Sequence, residues 1–143
     1  MKNKINIYLA GGMQKFGKEG FFESNNWRRI CQNYFQDHRT VKIINPNDYF
    51  NFYDEEPAYI SQKEVMEFDL HKVRNCDLTI VNFNDPKSLG TMTEIAIAYE
   101  KKIPIVGLNE TNEKLHPWQI EMTNRIFTDI HSMLKYVEYF YIT

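Results

Sequence analysis

Cysteine is scarce in this 143-residue chain: only Cys31 and Cys76 are present. They have neither metal-ligand spacing nor the density of a disulfide scaffold, so both read as buried thiols in a reducing compartment. The four histidines, His38, His71, His116 and His131, show no ligand spacing with one another, so no metal site or cofactor is implied. An excess of one charge is lacking too. Lys and Arg number 17 against 19 Asp and Glu, and a formal charge of -2 leaves no electrostatic footprint for a nucleic acid backbone, which excludes polymeric DNA or RNA as an expected partner. No apolar run approaches a membrane span. Met1-Lys2-Asn3-Lys4 leads into only a few apolar residues before Gly11-Gly12, too short a stretch for a signal peptide, and a cytoplasmic protein is expected.

What is present is the composition of an ordinary globular protein, with 43% hydrophobic and 25% charged residues, enough to bury one full core over residues 1–143. Ile5 to Ala10 reads as a buried first strand closed by Gly11-Gly12, where the glycines allow close backbone approach to a ligand. They do not form a dinucleotide fingerprint, because Gly17 and Gly20 do not fit G-x-G-x-x-G. Trp27, Ile30, Cys31 and Tyr34 recur at helical spacing and predict a first helix over about residues 20 to 36, with Arg28, Arg29, Gln32 and Asn33 on its other faces. Val41 to Ile44 is a second strand, stopped by Asn45-Pro46-Asn47-Asp48.

The connection from Asn45 to Ile60 carries Tyr49, Phe50, Phe52, Tyr53 and Tyr59. Such aromatics stack on a nucleobase in one reading and pack on the domain's flank or a subunit contact in the other. Ser61-Gln62-Lys63-Glu64 opens a second helix, on which Met66, Asp69, Leu70 and Val73 share a face. A carboxylate on an apolar stripe is costly unless it is paired or lines a cavity, which marks Asp69 as a functional candidate. Asp77 to Phe83 is a third strand, Glu94 to Lys102 continues a third helix and Pro104 to Leu108 is a fourth strand. Pro117 to Met122 reads as a short helix, Arg125 to Phe127 as a fifth strand, and Asp129 to Phe140 as a last helix with Thr128 as N-cap. Alternating strands and helices specify an α/β fold: a single-domain Rossmann-like or flavodoxin-like three-layer sandwich with a five-stranded parallel sheet.

The stretch Asp85-Pro86-Lys87-Ser88-Leu89-Gly90-Thr91-Met92-Thr93-Glu94 joins the third strand to the third helix. Two readings of Glu94 compete there. In one, Thr91 is an N-cap and Glu94 returns a hydrogen bond to it as a capping box. In the other, Glu94 stands at the mouth of a site where parallel strands end, the usual ligand position in open α/β sheets.

Together these pieces resemble the nucleoside 2-deoxyribosyltransferase superfamily, which includes the nucleoside 5'-monophosphate N-glycosidases. The resemblance lies in Ile7-Tyr8-Leu9-Ala10-Gly11-Gly12, in Asp69 followed by Asp77, and in Ser88-Leu89-Gly90-Thr91-x-x-Glu94 leading to Lys102-x-Pro104-Ile105. It spans roughly Ile5 to Leu108. The resemblance implies that Glu94 is a nucleophile forming a covalent glycosyl intermediate, that Tyr8 orients it, and that Asp69 exchanges a proton with the base, in line with retaining glycosyl transfer. The helix N-terminus is expected to keep Glu94 ionised.

It further implies substrate contacts from Gly11, Gly12, Asp85, Ser88, Gly90 and Thr91. In the base-exchanging transferases the position of Ser88 is typically an aspartate that holds the sugar 5'-hydroxyl, and in the N-glycosidases it is a serine. A serine beside unpaired backbone N–H groups suits a phosphate. A neighbouring subunit also reaches the 5' end in these families from the region after the fourth strand, which here contains His116 and Asn124, so a homodimer or higher homo-oligomer is implied.

The expected activity is cleavage of the N-glycosidic bond of a nucleoside or its 5'-monophosphate, with the sugar passed to a free nucleobase or to water. A non-catalytic nucleotide-binding module of the same fold is the alternative. A receiver-type phosphorylation switch ranks last, because Gly11-Gly12 stands where that fold needs an acidic pair.

Overall fold

Along β1 (Ile5–Gly11), Ile7 and Leu9 face one side of the sheet while Tyr8 and Ala10 face the other, and all four are buried. A strand covered on both faces is what a parallel sheet between two helical layers requires. The computed structural model describes residues 4–12, 25–49 and 61–142. After β1 come α1 (Asn26–Tyr34), β2 (Val41–Ile44), a 3-10 turn (Pro46–Asp48), α2 (Gln62–Arg74) and β3 (Leu78–Asn82). Then follow α3 (Leu89–Glu100), β4 (Ile105–Leu108), α4 (Pro117–Met122), β5 (Arg125–Phe127) and α5 (Ile130–Val137), which runs into a π-helical turn at Glu138–Ile142. All strand pairs are parallel, and the order across the sheet is β2-β1-β3-β4-β5. The expected α/β sandwich with a five-stranded parallel sheet is the fold observed.

Two apolar clusters fill the layers. On one face Ile7, Leu9, Ile80, Val106 and Leu108 meet Trp27 and Cys31 of α1 and Met133, Leu134 and Val137 of α5. On the other, Tyr8, Ala10, Val81, Phe83 and Ile105 meet Val73 of α2 and Ile95 and Ala98 of α3. Because the chain moves outward from β1 to β2 and then returns to β3, a crevice opens between the carboxyl ends of β1 and β3, the place where open α/β sheets hold ligands. Among the described residues no helix is long and apolar enough to cross a membrane.

Several local expectations change. α3 begins earlier than the Thr91–Glu94 spacing suggests, for its N-cap is Ser88, whose Oγ accepts the Thr91 N–H at 3.3 Å. Thr91 is therefore the third helical residue, Glu94 lies a turn deeper, and no capping box joins them. α5 is capped by Asp129 rather than Thr128, because the Asp129 carboxylate accepts both the N–H and the Oγ–H of Ser132 at 2.8 and 2.9 Å. Arg28, expected on an outer face of α1, is wholly buried, whereas Met66, expected with the core residues of α2, is 50% exposed. The first helix is described only from Asn26, and residues 13–24 and 50–60 lie outside the described residues, among them Phe50, Phe52, Tyr53 and Tyr59. Tyr49 packs on α2, its ring 5.0 Å from that of Phe68.

The C-terminal end of α3 is closed by a Schellman turn. Lys102 N–H bonds Tyr99 O at 3.0 Å and Ile103 N–H bonds Ala98 O at 2.9 Å, with Lys102 at φ 58°. That turn drops the chain into β4, whose Asn82-paired Leu108 ends beside the crevice.

Candidate active site

Tyr8 points from the middle of β1 into the α2–α3 layer, and its hydroxyl donates to Glu94 Oε2. Glu94 is delivered by the second turn of α3, and Asp69 by the middle of α2, the two helices packed side by side on this face. Asp69 and Glu94 line one cavity of about 550 Å³ together with Gly11, Asp85, Ser88, Gly90 and Thr91. Tyr8 lies beneath its floor, fully buried. Three acidic or phenolic groups from β1, α2 and α3 thus converge at the crevice.

Burial dominates their electrostatics. It pushes the Glu94 carboxyl up to about 8; Asp69 adds to the rise, while the Tyr8 hydrogen bond and the positive charge of Arg28 oppose it. Asp69 is raised to about 7, again mainly by burial and against the pull of Arg28. Tyr8 is pushed well above its ordinary value by burial and by the neighbouring carboxylates, so its phenol keeps its proton and acts as a donor. The expectation that the helix N-terminus keeps Glu94 ionised is not met. At the sixth helical position Glu94 lies beyond the first turn, where the macrodipole acts, and desolvation prevails.

Among the described residues Asp69 Oδ1 is buried without a hydrogen-bond partner. Glu94 has a donor and Asp69 Oδ1 has none. Hydrogen bonding and burial thus pull in opposite directions: the Tyr8 donor favours charge on Glu94, whereas burial raises Glu94, at about 8, above Asp69, at about 7.

The two glycines serve the protein's own packing. A Cβ on Gly12 would lie 2.8 Å from Asp85 Cβ, and one on Gly11 would lie 3.1 Å from Trp27 Cζ2 and 3.3 Å from Arg28 Nη2. Gly11 also forms part of the cavity wall, which Gly12 does not line. Asp85 is buried at the cavity margin, and its carbonyl accepts the Ser88 N–H at 3.0 Å, which turns the chain into α3. Ser88 Oγ accepts from Thr91 Oγ at 3.0 Å as well as from the Thr91 N–H. With its acceptor sites directed at Thr91, the Ser88 proton is left to point elsewhere.

His116 and Asn124 lie outside this cavity. His116 is the N-cap of α4, its Nδ1 accepting the Trp118 N–H at 3.0 Å while its own N–H donates to Gln119 Oε1 at 2.7 Å. Asn124 Oδ1 accepts the Ile105 N–H at 2.8 Å, at the amino edge of the sheet.

Three supporting residues escaped the sequence reading. Asn84 holds Gly12 from both sides, accepting its N–H at 3.1 Å and donating to its carbonyl at 3.3 Å. Gln119, buried, donates to Pro86 O at 2.8 Å and ties the Asp85 loop to α4. Arg28 donates from Nη2 to Gly11 O at 3.0 Å behind the cavity wall. Only Arg28 carried a signal, as a charged residue next to the apolar Trp27, Ile30 and Cys31.

Solved structures with the same architecture include a conserved protein from Enterococcus faecalis V583, 18% identical, with a TM-score of 0.76 over 95% of this chain and 98% of that one. A 2-deoxyribosyltransferase from Bacillus psychrosaccharolyticus is 17% identical, with a TM-score of 0.72 over 92% of this chain and 91% of that one. The CMP N-glycosidase of Clostridium botulinum is likewise 17% identical, with a TM-score of 0.64 over 94% and 98%. At these identities the likeness establishes the fold. No curated protein matches the sequence. The family profile described as nucleoside 2-deoxyribosyltransferase matches residues 7–133, nearly the whole chain, and the protein belongs to that family of N-glycosyl transferases and hydrolases.

Proposed function

We propose that this protein cleaves the N-glycosidic bond of a nucleoside 5'-monophosphate through a covalent glycosyl-Glu94 intermediate. The observation that carries the reading is the convergence of Glu94, hydrogen-bonded to Tyr8, and Asp69 on one cavity at the carboxyl ends of β1 and β3. In the first step a Glu94 carboxylate oxygen attacks C1' of the sugar. The bonding pair leaves with the base, and the proton on Asp69 goes to the departing base nitrogen. In the second step water, or the N–H of another base, attacks C1'; its proton returns to Asp69 and Glu94 is released as carboxylate.

This assignment needs one proton between the two carboxyls, on Asp69. The Tyr8 donor favours charge on Glu94, and the bare Oδ1 of Asp69 suits the acid. Activity is then bell-shaped in pH: it falls on the acid side as Glu94 takes up a proton and on the alkaline side as Asp69 loses its own.

The choice of a monophosphate is supported by Ser88. Its hydroxyl proton and the N–H groups of Leu89 and Gly90, the first two helical positions, suit phosphate oxygens, that of Thr91 being taken by Ser88 Oγ. Asp85, on the same wall, accepts from a sugar hydroxyl. A homo-oligomer is supported by the exposed Leu89 and Trp118, 84% and 72% accessible, beside an apolar groove that shares Leu89 and Thr93 with the cavity. A second copy seated there would border the site.

The test is chromatographic detection of free base from deoxy and ribo substrates, each as nucleoside and 5'-monophosphate, with and without a second base, using E94A as blank. Release from monophosphates without an acceptor supports the reading. Release only from nucleosides with an added base would replace it with base exchange, and no release from any substrate would replace it with a nucleotide-binding module.

A further inference from the structure

Gln119 of α4 is buried, yet it does not line the cavity in which the reaction is placed, and the two-step mechanism above gives it no part. Both ends of its amide are engaged. Oε1 accepts the His116 N–H at 2.7 Å, while Nε2 donates to Pro86 O at 2.8 Å and to Met92 Sδ at 2.9 Å. These partners fix which way the amide points, because a flipped amide would set oxygen against the Pro86 carbonyl and N–H against N–H. Holding a glutamine in one rotamer is costly in side-chain entropy, and an apolar residue would fill the same space without that cost. Three directed bonds from one buried side chain therefore specify a position.

Pro86 shows what is positioned. Proline has no N–H, so the carbonyl is its single backbone hydrogen-bonding group, and Gln119 holds it. Because a peptide unit is planar, a fixed carbonyl orients the whole Pro86–Lys87 peptide. Asp85 lies just before that peptide and Ser88 just after it, both on the cavity wall, with the Ser88 N–H closing back on Asp85 O at 3.0 Å. Met92 belongs to the start of α3 and donates its own N–H to Ser88 O at 3.1 Å. Gln119 thus grips both the turn that presents Ser88 and the helix that follows it, from outside the cavity.

We propose, resting on the monophosphate reading above, that Gln119 is a positioning residue for the 5' end of the substrate: by fixing the Pro86 carbonyl and Met92 it holds the Ser88 turn in the conformation that receives the phosphate. Its influence falls on binding rather than on the chemical step. Tyr8 and Asp69 come from β1 and α2, and Glu94 comes from the second turn of α3, so none of the three hangs on the Asp85–Ser88 turn.

The experiment uses Q119M in the full chain, which keeps the length of the side chain and removes the amide. Two readouts are taken. The first is kinetic, with the 5'-monophosphate that releases most base in the panel above as substrate and the nucleoside of the same base and sugar as competing ligand. KM for the monophosphate is expected to rise about tenfold, the effect of one ordinary hydrogen bond, with kcat and the nucleoside's inhibition constant each within about threefold of wild type. The second is amide hydrogen exchange in ligand-free protein. The Ser88 N–H should exchange about tenfold faster, while the Ile103 N–H, bonded to Ala98 O at the far end of α3, stays within about twofold.

A rise in KM below about threefold, or a loss shared equally by kcat and nucleoside binding, would overturn the proposal. So would a Ser88 rate that is unchanged or that rises together with Ile103, the mark of general destabilisation. Should Q119M not fold, Q119N decides by the same readouts, since its amide is one methylene too short to span Pro86 and His116. The exchange measurement also separates the two ideas. If wild type releases no base from any monophosphate, the substrate reading fails, while the Ser88 and Ile103 rates still decide whether Gln119 holds the turn.

Discussion

The two edges of the sheet treat their polar side chains in opposite ways. At the amino edge Asp77 Oδ2 accepts the Asn6 N–H at 2.8 Å and Asn124 Oδ1 accepts the Ile105 N–H at 2.8 Å, so each side chain closes a backbone position that no strand partner serves. At the carboxyl edge Asp69 Oδ1 is buried with no partner among the described residues, and Glu94 relies on Tyr8. Two aspartates eight positions apart in the chain thus have contrary duties. Satisfied groups at one edge secure the fold, and under-satisfied groups at the other hold reactivity that burial makes costly.

If that contrast is right, the edges separate under mutation. The largest effect is expected from E94A, with base release falling by about 10³-fold or more while circular dichroism and the melting transition persist. Residual activity within tenfold would sink the assignment. D69N should lower kcat by about 10²-fold and erase the alkaline limb of the pH profile, because an amide has no proton to lose; an unchanged limb would place the acid elsewhere.

At the opposite edge, D77A should leave kcat unchanged and cost about 1–2 kcal/mol in a urea titration, since the Asn6 N–H loses its acceptor. The carboxyl edge should show the reverse in stability. Because burial raises Glu94 from 4.5 to about 8 in the folded protein, its contribution is most favourable below the unfolded value and is lost as pH rises through 8. E94Q removes that loss. It should gain about 2 kcal/mol over wild type between pH 5 and pH 9, a figure reduced because Glu94 lines an open cleft; parallel stability curves would argue against a buried charge. The smallest effect is remote from both edges. K102G should add about 0.5–1 kcal/mol by relieving the left-handed conformation at Lys102, with no change in turnover.

The sheet was legible in the sequence because strands buried on both faces must be written as short apolar runs, as at Leu78 to Phe83, between glycine- and asparagine-bearing turns. Tyr8, Asp69 and Glu94 were legible as members of spaced motifs and as polar residues on apolar faces, and all three meet at the crevice. Helix starts were less so. Ser88 and Thr91 both carry capping chemistry, and only the turn made by Asp85 O and Ser88 N–H decides between them. Arg28 fell on the wrong face because periodicity weighs it by polarity, whereas it is buried with Nη2 donating to Gly11 O, on another element. Asn84 and Gln119 bond to partners 72 and 33 positions away, and no local pattern signals such distance.

The side-chain amide of Asn84 presents to Gly12 the acceptor and donor that a neighbouring peptide group would. The last strand pairing between β1 and β3 is Gly11 with Asn82, so this contact acts as one extra rung, spliced on beyond the point where the ladder formally stops. The residue after Asn84 is Asp85, packed against the same glycine. Gly12 and the start of the Asp85 loop are thereby fastened to each other at the end of the sheet. The Gly12 amide should accordingly exchange with solvent deuterium at the pace of a strand amide in the wild type, and at the pace of a loop in N84A.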